Sequence, residues 1–200
     1  KVADNEYDEF STDPVTLLQA IKKLKRVLQQ RDALEFQLRN IANTDNLTGV
    51  SKRLALDEYI KYLEKKPEKF TQTALIIFDI DDFKHVNDTF GHIVGDEVIR
   101  LVAEKLQVNV RNSDLIIRYG GDEFLVLIEQ ADFDDAWVVA NKILKEIGNS
   151  ELYIAEINQN IQVSVSAGVA VGAASWMALL EKADKSLFKA KENGKNAVAG

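Results

Sequence analysis

Two clusters of carboxylates stand at the ends of apolar runs that have the composition of β-strands. The first is in segment 118–124, Arg-Tyr-Gly-Gly-Asp-Glu-Phe, which separates the apolar runs 115–117 and 125–128. The second is segment 79–82, Asp-Ile-Asp-Asp, which follows the apolar run 74–78. Glycines on a turn leave the backbone bare enough to contact a ligand. Carboxylates at buried strand ends need a counter-charge, and a divalent metal is a common one near phosphates. The two clusters therefore predict one metal site built from both strand ends.

The composition excludes several classes of function. A net charge of −7 over 200 residues argues against a nucleic-acid binder, which needs a basic face. Without cysteine there are no disulfides or thiolate metal sites, and two histidines are too few for a histidine-rich zinc site. No apolar run approaches the length of a membrane span and no signal peptide is visible, so we expect no membrane contact. Because the chain begins at Lys1, we expect a fragment of a longer protein.

The periodicity of the apolar residues predicts two parts. Residues 1–43 form a polar tail and one long helix, and residues 44–200 alternate between helical and strand patterns. We predict helices near 51–65, 93–109, 132–148 and 175–193, and strands near 73–80, 115–119, 123–129 and 161–171, with a short extra strand at 152–155. The resulting β-α-β-β-α-β order predicts an α/β (α+β) fold with a ferredoxin-like antiparallel sheet and helices covering one face.

The long helix, predicted from Thr16 to Asn43, carries an apolar seam with two alternative sets of heptad partners. Both patterns share the positions Leu17, Leu24, Arg31 and Leu38. The first set of partners, which is more apolar in the N-terminal half of the helix, is Ile21, Leu28, Glu35 and Ala42. The second set, which is more apolar in the C-terminal half, is Ala20, Val27, Leu34 and Ile41. Either a parallel dimer that slides between two registers or one wide apolar face with a single stutter accounts for this pattern. Both interpretations favour a coiled-coil homodimer, because nothing else in the sequence covers the face.

Seven motifs in a fixed order resemble the GGDEF family of diguanylate cyclases. They are the segments 45–49, 78–84, 87–92, 95–96, 118–124, 164–168 and 183–196. One such motif is a weak match, whereas seven in order over about 150 residues make coincidence implausible. The resemblance implies the palm-type sheet of nucleotidyl cyclases and a reaction that joins two GTP molecules into cyclic di-GMP and releases two pyrophosphates. It also implies a homodimeric enzyme of the bacterial cytoplasm, controlled through the helix by an upstream sensory or receiver domain.

The resemblance assigns the carboxylates to metal binding and catalysis. Asp79, Asp122 and the carbonyl of Ile80 are the expected ligands of Mg²⁺ or Mn²⁺, with two ions per active half-site, and hard oxygen ligands suit both metals. Glu123 either shares in metal binding or takes the proton of the attacking hydroxyl. Lys84 completes the expected catalytic set. Read alone, Asp79 has a second interpretation as a helix N-cap at the strand exit.

Three lysines resemble the family's triphosphate clamp: Lys84, Lys191 and Lys195. Lys195 stands where arginine is usual, and a point charge there replaces a fork of donors. The alternative for each is an exposed surface lysine.

Backbone groups are also expected near the nucleotide. The N–H groups of Asp82 and Phe83 face the terminal phosphates at a helix start in this interpretation, although the Phe83 ring also fits the core. Asp82 occupies a position where many relatives carry an aromatic residue or histidine, and we expect it at the helix start. Gly120 and Gly121 let the nucleotide approach the backbone.

Asn87 and Asp96 resemble the guanine-binding residues of the family. A carboxylate accepts hydrogen bonds from the N1–H and the exocyclic amine of guanine, which adenine cannot supply, and an Asn side chain offers a donor and an acceptor to the other edge. Asp96 therefore favours GTP over ATP. Its alternative interpretation is a helix cap after Gly95.

Arg111 and Asp114 have the spacing of an Arg-x-x-Asp product site that many relatives carry. Arginine stacks on guanine and grips phosphate while aspartate binds the base edge, so we expect feedback inhibition by cyclic di-GMP. The alternative is a surface ion pair. Arg118, in the hairpin, is expected to brace it through a carboxylate. Two other functions stay open: a silent domain that senses GTP or cyclic di-GMP, and a nucleotidyl cyclase with a monocyclic product.

Overall fold

The computed structural model describes residues 14–155 and 158–200, so the predicted polar tail lies outside the described residues. The chain divides into two units, with the boundary between Ala42 and Asn43. The helices are α1 Pro14–Asn43, α2 Arg53–Glu64, α3 Pro67–Phe70, α4 Phe83–Phe90, α5 His92–Asn109, α6 Phe133–Gly148 and α7 Trp176–Glu192. The strands are β1 Ser51–Lys52, β2 Thr73–Ile80, β3 Leu115–Arg118, β4 Glu123–Glu129, β5 Leu152–Ile154, β6 Gln159–Ile161, β7 Val165–Val171 and β8 Val198–Ala199.

The first unit contains α1, whose 30 residues extend over about 45 Å. Pro14 takes its first position, where the missing N–H costs no helical hydrogen bond. Large apolar side chains between 42% and 59% exposed line this helix: Leu17, Leu18, Ile21, Leu24, Val27, Leu28 and Leu34. The side chains of four other heptad positions lie outside those described: Glu35, Leu38, Ile41 and Ala42. The coiled-coil dimer stays a prediction.

The second unit is built on a six-stranded mixed sheet in the order β1-β3-β4-β2-β7-β8. Its four central strands are antiparallel and follow the ferredoxin-like order, which confirms the predicted fold class. The prediction of a purely antiparallel sheet is wrong at both edges, where β1 pairs in parallel with β3 and β8 pairs in parallel with β7. Each of these edge strands has two residues, which is too short to leave a period in the sequence.

Helices cover both faces of the sheet, so the prediction of one covered face is wrong. All eight residues of β2 are buried. Alternate residues, such as Ile76 and Phe78, join a core that includes residues of α5 and α6, whereas Leu75 and Ile77 join a second core with residues of α2 and α7. The run 74–78 is continuously apolar, and such a run is typical of a strand buried on two faces.

Three element boundaries differ from the predictions. The run 161–171 is not one strand, because β6 pairs with β5 in a separate hairpin and the carbonyl of Ser164 accepts the Asp81 N–H at 2.9 Å before β7 begins. Helix α4 precedes the predicted helix near 93–109; the family resemblance implied its start at Asp82, but the apolar pattern did not predict it as a separate helix, because it has only eight residues. Helix α2 begins after β1 rather than at Ser51. None of the described helices is both long and apolar enough to cross a membrane.

Candidate active site

The two carboxylate clusters meet at the ends of the adjacent strands β2 and β4. The antiparallel register places Asp79 opposite Glu123. Asp122 directly precedes β4, and its carbonyl accepts the N–H of Ile80 at 3.3 Å. Asp79 is 9% exposed, whereas Asp122 and Glu123 are half-buried. The two clusters are therefore next to each other, and the position of Asp79 inside β2 rules out a helix cap.

The ammonium group of Lys191 forms an ion pair with one of these carboxylates. Lys191, in the last turn of α7, has its Nζ 2.8 Å from the Asp79 carboxylate. Burial raises the pKa of Asp79 most, Lys191 opposes the shift, and Asp122 and Asp81 add to it. Burial also raises the pKa of Glu123, with Asp79 and Asp122 adding to the increase. A further positive charge would stabilise the ionised forms of these carboxylates.

Asp79, Asp122 and the Ile80 carbonyl supply the oxygen donors that a hard divalent cation prefers, and all three residues lie at two neighbouring strand ends. Within residues 14–155 and 158–200, no group of three His, Cys, Asp or Glu side chains is arranged to hold a metal ion. The predicted set has two side chains and one main-chain carbonyl, and Mg²⁺ retains waters when few protein ligands are present. The metal assignment stays a prediction.

Arg118 braces the hairpin, as the sequence predicted. Its Nη1 lies 3.2 Å from Asp45, and its Nε and Nη2 donate to the Gly121 carbonyl at 3.2 and 2.8 Å. On the other side of the turn, a Cβ added to Gly120 would lie 3.0 Å from the Glu123 carboxylate. The Arg118 side chain thus links the hairpin backbone at Gly121 to Asp45 through a partly buried ion pair, and Gly120 leaves room for the Glu123 side chain.

The sequence assigned no role to Asp81, which is 8% exposed and fully engaged. Its carboxylate accepts hydrogen bonds from Ser164 Oγ and Ser166 Oγ, each at 2.6 Å, and from the Asn196 N–H at 3.0 Å. It therefore links the end of β2 to β7 and to the turn after α7. The signal in the sequence was the pair of serines at alternate positions of an apolar run, because a buried hydroxyl needs a partner.

Lys195 lies on this turn, where Lys195 and Asn196 have φ values of 64° and 45°. Its Nζ is 2.5 Å from the carboxylate of Asp82. Asp82 stands at the start of α4 as predicted, but its side chain makes no capping hydrogen bond and pairs with Lys195 instead. Lys84, in the first turn of α4, is exposed. Lys191 and Lys195 thus reach the end of β2 from the same segment.

Helices α4 and α5 approach closely at Gly95. A Cβ on Gly95 would overlap the amide oxygen of Asn87 and lie 3.3 Å from the Phe83 ring. Asp96 follows Gly95 inside α5, four residues after the helix begins at His92, which rules out the helix-cap interpretation. Phe83 also packs against the main core, so its ring has the structural role that was weighed for it. The two proposed guanine-binding residues are on neighbouring helices.

The family described as "Diguanylate cyclase, GGDEF domain" matches residues 42–197. The chain belongs to the GGDEF family. The match spans both strand ends, the α4–α5 contact and the turn that carries Lys195.

Relatives and solved structures agree with this membership. The response regulator PleD of Caulobacter vibrioides is 34% identical over 203 residues, which cover 96% of this chain and 45% of PleD. Diguanylate cyclase A of Treponema denticola is 34% identical over 169 residues, which cover 81% of this chain and 45% of that protein. The chain thus spans about half the length of these two relatives.

Among solved structures, the coiled coil and GGDEF domain of DgcB from Caulobacter crescentus, in complex with c-di-GMP, has a TM-score of 0.80 at 30% identity. The match covers 92% of this chain and 98% of the DgcB chain. The diguanylate cyclase SiaD of Pseudomonas aeruginosa, in complex with its activator SiaC, has a TM-score of 0.76 at 29% identity. The match covers 90% of this chain and 70% of the SiaD chain.

In this GGDEF domain, Arg111 and Asp114 lie on the loop before β3, at the opposite end of that strand from the hairpin. The Arg111 N–H donates to the Asp114 carboxylate at 2.8 Å, and the Asp114 N–H donates to the Arg111 carbonyl at 2.9 Å. These bonds close a turn and leave Arg111 exposed. Both residues line a cavity of about 340 Å³ together with Asp134, Asp135 and Val138 of α6.

Proposed function

We propose that the chain is the catalytic part of a diguanylate cyclase, which condenses two GTP molecules into cyclic di-GMP and two pyrophosphates. The observation that carries the proposal is that Asp79 lies opposite Glu123 and beside the hairpin residue Asp122 at two neighbouring strand ends, with the Lys191 ammonium 2.8 Å from Asp79. Membership of the GGDEF family supports it, since several relatives are named diguanylate cyclases. The presence of all three carboxylates favours an active enzyme over a silent nucleotide sensor.

Each half-reaction forms one phosphodiester. The 3′-hydroxyl oxygen of one GTP bonds to the α-phosphorus of the other, the bond from that phosphorus to the β-phosphate oxygen breaks, and pyrophosphate leaves. Mg²⁺ or Mn²⁺, two ions per half-site, would be held by Asp79, Asp122 and the Ile80 carbonyl and would supply positive charge to the phosphoryl oxygens. Glu123 is suited to accept the hydroxyl proton, because its burial and the carboxylates beside it raise its pKa.

The triphosphate would be bound by lysines and main-chain N–H groups. Lys191 and Lys195 extend from the end of α7 and the following turn, and Lys84 extends from α4. The N–H groups of Asp82 and Phe83 are at the start of α4, where helix geometry directs donors outwards. Their role is to hold the α-phosphate in line with the incoming hydroxyl.

Guanine would be recognised between α4 and α5. Asp96 accepts from N1–H and the exocyclic amine, and the Asn87 amide bonds the other edge. Gly95 supports this arrangement because it leaves the space that the Asn87 amide occupies. Gly120 and Gly121 keep the hairpin free of side chains next to the nucleotide.

Two half-sites must face each other, because each subunit holds one GTP and the product has two equivalent linkages. The exposed apolar residues of α1 support a coiled-coil homodimer that sets this orientation and responds to an upstream sensory or receiver domain. Such an arrangement provides the large effective concentration that a two-substrate reaction needs. We place this enzyme in the bacterial cytoplasm.

The direct test is to incubate the protein with GTP and Mg²⁺ and to resolve the products by chromatography, with ATP as the control substrate. Cyclic di-GMP and pyrophosphate are expected from GTP. A monocyclic product would identify a different nucleotidyl cyclase, and binding of GTP without turnover would identify a sensor. Asp122→Asn should abolish turnover, and Asp57→Asn, on the exposed surface of α2, is the matched control.

Product inhibition is proposed at Arg111 and Asp114. The turn they form leaves the guanidinium free to stack on guanine and to bind phosphate, and a cavity lies beside it. Arg111→Ala should relieve inhibition by added cyclic di-GMP while initial turnover stays near wild type. Equal inhibition of both proteins would place the product elsewhere.

A further inference from the structure

Three carboxylates at the end of β2 each contact a different residue of segment 191–196, which includes the end of α7 and the turn that leads to β8. The contacts are Asp79 with the Lys191 ammonium at 2.8 Å, Asp82 with the Lys195 ammonium at 2.5 Å, and Asp81 with the Asn196 N–H at 3.0 Å. The first two contacts are ion pairs with lysines that the proposed function assigns to the triphosphate. The third is made to the backbone and involves neither lysine.

The ion pair of Lys195 differs from the Asp81 contacts in exposure. The side chains of Lys195 and Asp82 are 42% and 63% exposed, so solvent screens the pair and a phosphate can replace the carboxylate. Asp81 is 8% exposed, and two serine hydroxyls bond to it in addition to the backbone of the turn. Hydrogen bonds to a buried charge are strong, and this anchor does not need to break when a nucleotide arrives.

The turn that carries Lys195 needs an anchor. Lys195 and Asn196 are consecutive residues other than glycine with positive φ, a conformation that costs free energy at each position. The Lys195 N–H reaches the Ala190 carbonyl at 3.2 Å, and the Asn196 N–H reaches Asp81. Without the Asp81 carboxylate, the Asn196 N–H loses the partner that holds this conformation.

We propose that Asp81 is a positioning residue for the triphosphate: it fixes the turn 194–196 so that Lys195 can leave Asp82 for a phosphate while its backbone stays in place. The Asp82–Lys195 pair is then the resting contact of the same lysine. This inference rests on the proposed function, because it takes Lys195 as a phosphate ligand. It gives a role to Asp81, which is close to the expected metal ligands in the sequence but whose carboxylate bonds Ser164, just before β7, and Ser166, in β7.

The test compares two ligands by calorimetry: the unreactive analogue guanosine 5′-(α,β-methylene)triphosphate, and GMP, which lacks the terminal phosphates. Asp81→Asn keeps the size of the side chain and removes its charge. It should weaken binding of the analogue about tenfold and leave GMP binding unchanged, as the loss of one charge-assisted hydrogen bond implies. In a Lys195→Met background, Asp81→Asn should have no further effect. Equal weakening for both ligands, or an unchanged effect in that background, would overturn the proposal.

Milder variants guard against misfolding. Ser164→Ala removes one hydrogen bond from Asp81, and it should weaken binding of the analogue by a smaller factor than Asp81→Asn does. The matched control is Ser186→Ala, which removes a buried hydroxyl that bonds the Lys182 carbonyl within α7. If Asp81→Asn fails to fold, unchanged analogue binding in Ser164→Ala overturns the proposal. If the wild-type protein binds the analogue but makes no cyclic di-GMP, the proposed function fails and the binding comparison still decides the role of Asp81.

Discussion

The Nζ of Lys191 lies 2.8 Å from the carboxylate of Asp79, at the strand end where Asp79 lies opposite Glu123. Burial raises the pKa of Asp79, and the Lys191 ammonium opposes that increase. The lysine therefore has two roles: it lowers the pKa of the expected metal ligand against the effect of burial, and it lies beside the position proposed for the triphosphate.

Replacing Lys191 should change how activity depends on pH. In Lys191→Met the ammonium that lowers the pKa of Asp79 is gone, so this pKa rises further and less carboxylate is ionised at a given acidic pH. The acid limb of cyclase activity at a limiting Mg²⁺ concentration should move to higher pH, and KM for GTP should rise about tenfold because a phosphate contact is lost. Lys189→Met, two residues earlier on the exposed surface of α7, should leave the profile in place. An acid limb at the wild-type pH in Lys191→Met would show that the pair is not coupled to activity.

Glu123 is expected to cost stability in the absence of metal. Its raised pKa means that the folded protein binds the proton more tightly than the unfolded chain does. The stability this contributes is present below the unfolded pKa and is lost as pH rises through the folded pKa. Glu123→Gln has no charge to bury, so its Tm at neutral pH without metal should exceed that of wild type by about 2–4 °C.

The same variant should lose at least about a hundredfold in turnover, the usual range for a general base. The gap in Tm should shrink as the pH falls, because wild-type Glu123 becomes protonated. Glu104→Gln, on the exposed surface of α5, is the control for removing a carboxylate. A wild-type protein that is more stable than Glu123→Gln at neutral pH without metal would contradict this account.

The sequence predicted the parts of the site that local chemistry determines. The apolar run 74–78 and the hairpin 118–124 predicted two strands ending in carboxylates, and their antiparallel pairing brought Asp79 opposite Glu123. Arg118 was correctly expected to brace the hairpin. The two carboxylate-tipped strand ends and the bonds from Arg118 to the Gly121 carbonyl each depend on residues within one segment of the chain.

The missed features depend on contacts between distant segments. Asp81 bonds residues more than eighty positions away in the chain, and no pattern in segment 79–82 distinguishes it from Asp82. Helix α4 has eight residues, which is shorter than the stretch over which a helical period can be recognised, so only the family resemblance indicated its start at Asp82. The coverage of both sheet faces was readable in principle, since β2 lacks the alternation of a one-sided strand.

Gly95→Ala should test the guanine site through packing alone. A Cβ at this position would overlap the Asn87 amide oxygen, so the amide must rotate away from where it lies. We expect KM for GTP to rise about tenfold, which corresponds to one lost base contact. Gly148→Ala is the matched control, because its added Cβ would meet Asn196 at an ordinary contact distance of 3.7 Å. Wild-type KM in Gly95→Ala would exclude Asn87 from guanine binding.

Product inhibition should respond to charge on α6. The cavity beside Arg111 is also lined by several carboxylates, including Asp132, Asp134 and Asp135. Cyclic di-GMP carries two negative charges, so these residues oppose its binding. Asp134→Lys should lower the concentration of cyclic di-GMP that halves turnover about fivefold at low salt, and less at high salt, because the charge is exposed. Asp57→Lys, on α2, makes the same charge change on the exposed surface and should leave inhibition unchanged. Weaker inhibition in Asp134→Lys would mean that the product does not bind beside α6.

The dimer proposed through α1 should be separable from nucleotide binding. Leu24 is 59% exposed and belongs to both heptad patterns, so Leu24→Glu places a charge in the seam whichever register is used. The variant should sediment as a monomer where the wild type is a dimer, and its turnover should fall at least about tenfold, because opposed half-sites supply the effective concentration of the second GTP. Affinity for the α,β-methylene analogue should stay within about twofold of wild type, since each half-site is complete in one subunit. Gln29→Glu introduces the same side chain on the outer surface of the helix and should affect neither measurement. A monomeric Leu24→Glu with wild-type turnover would reduce α1 to a tether.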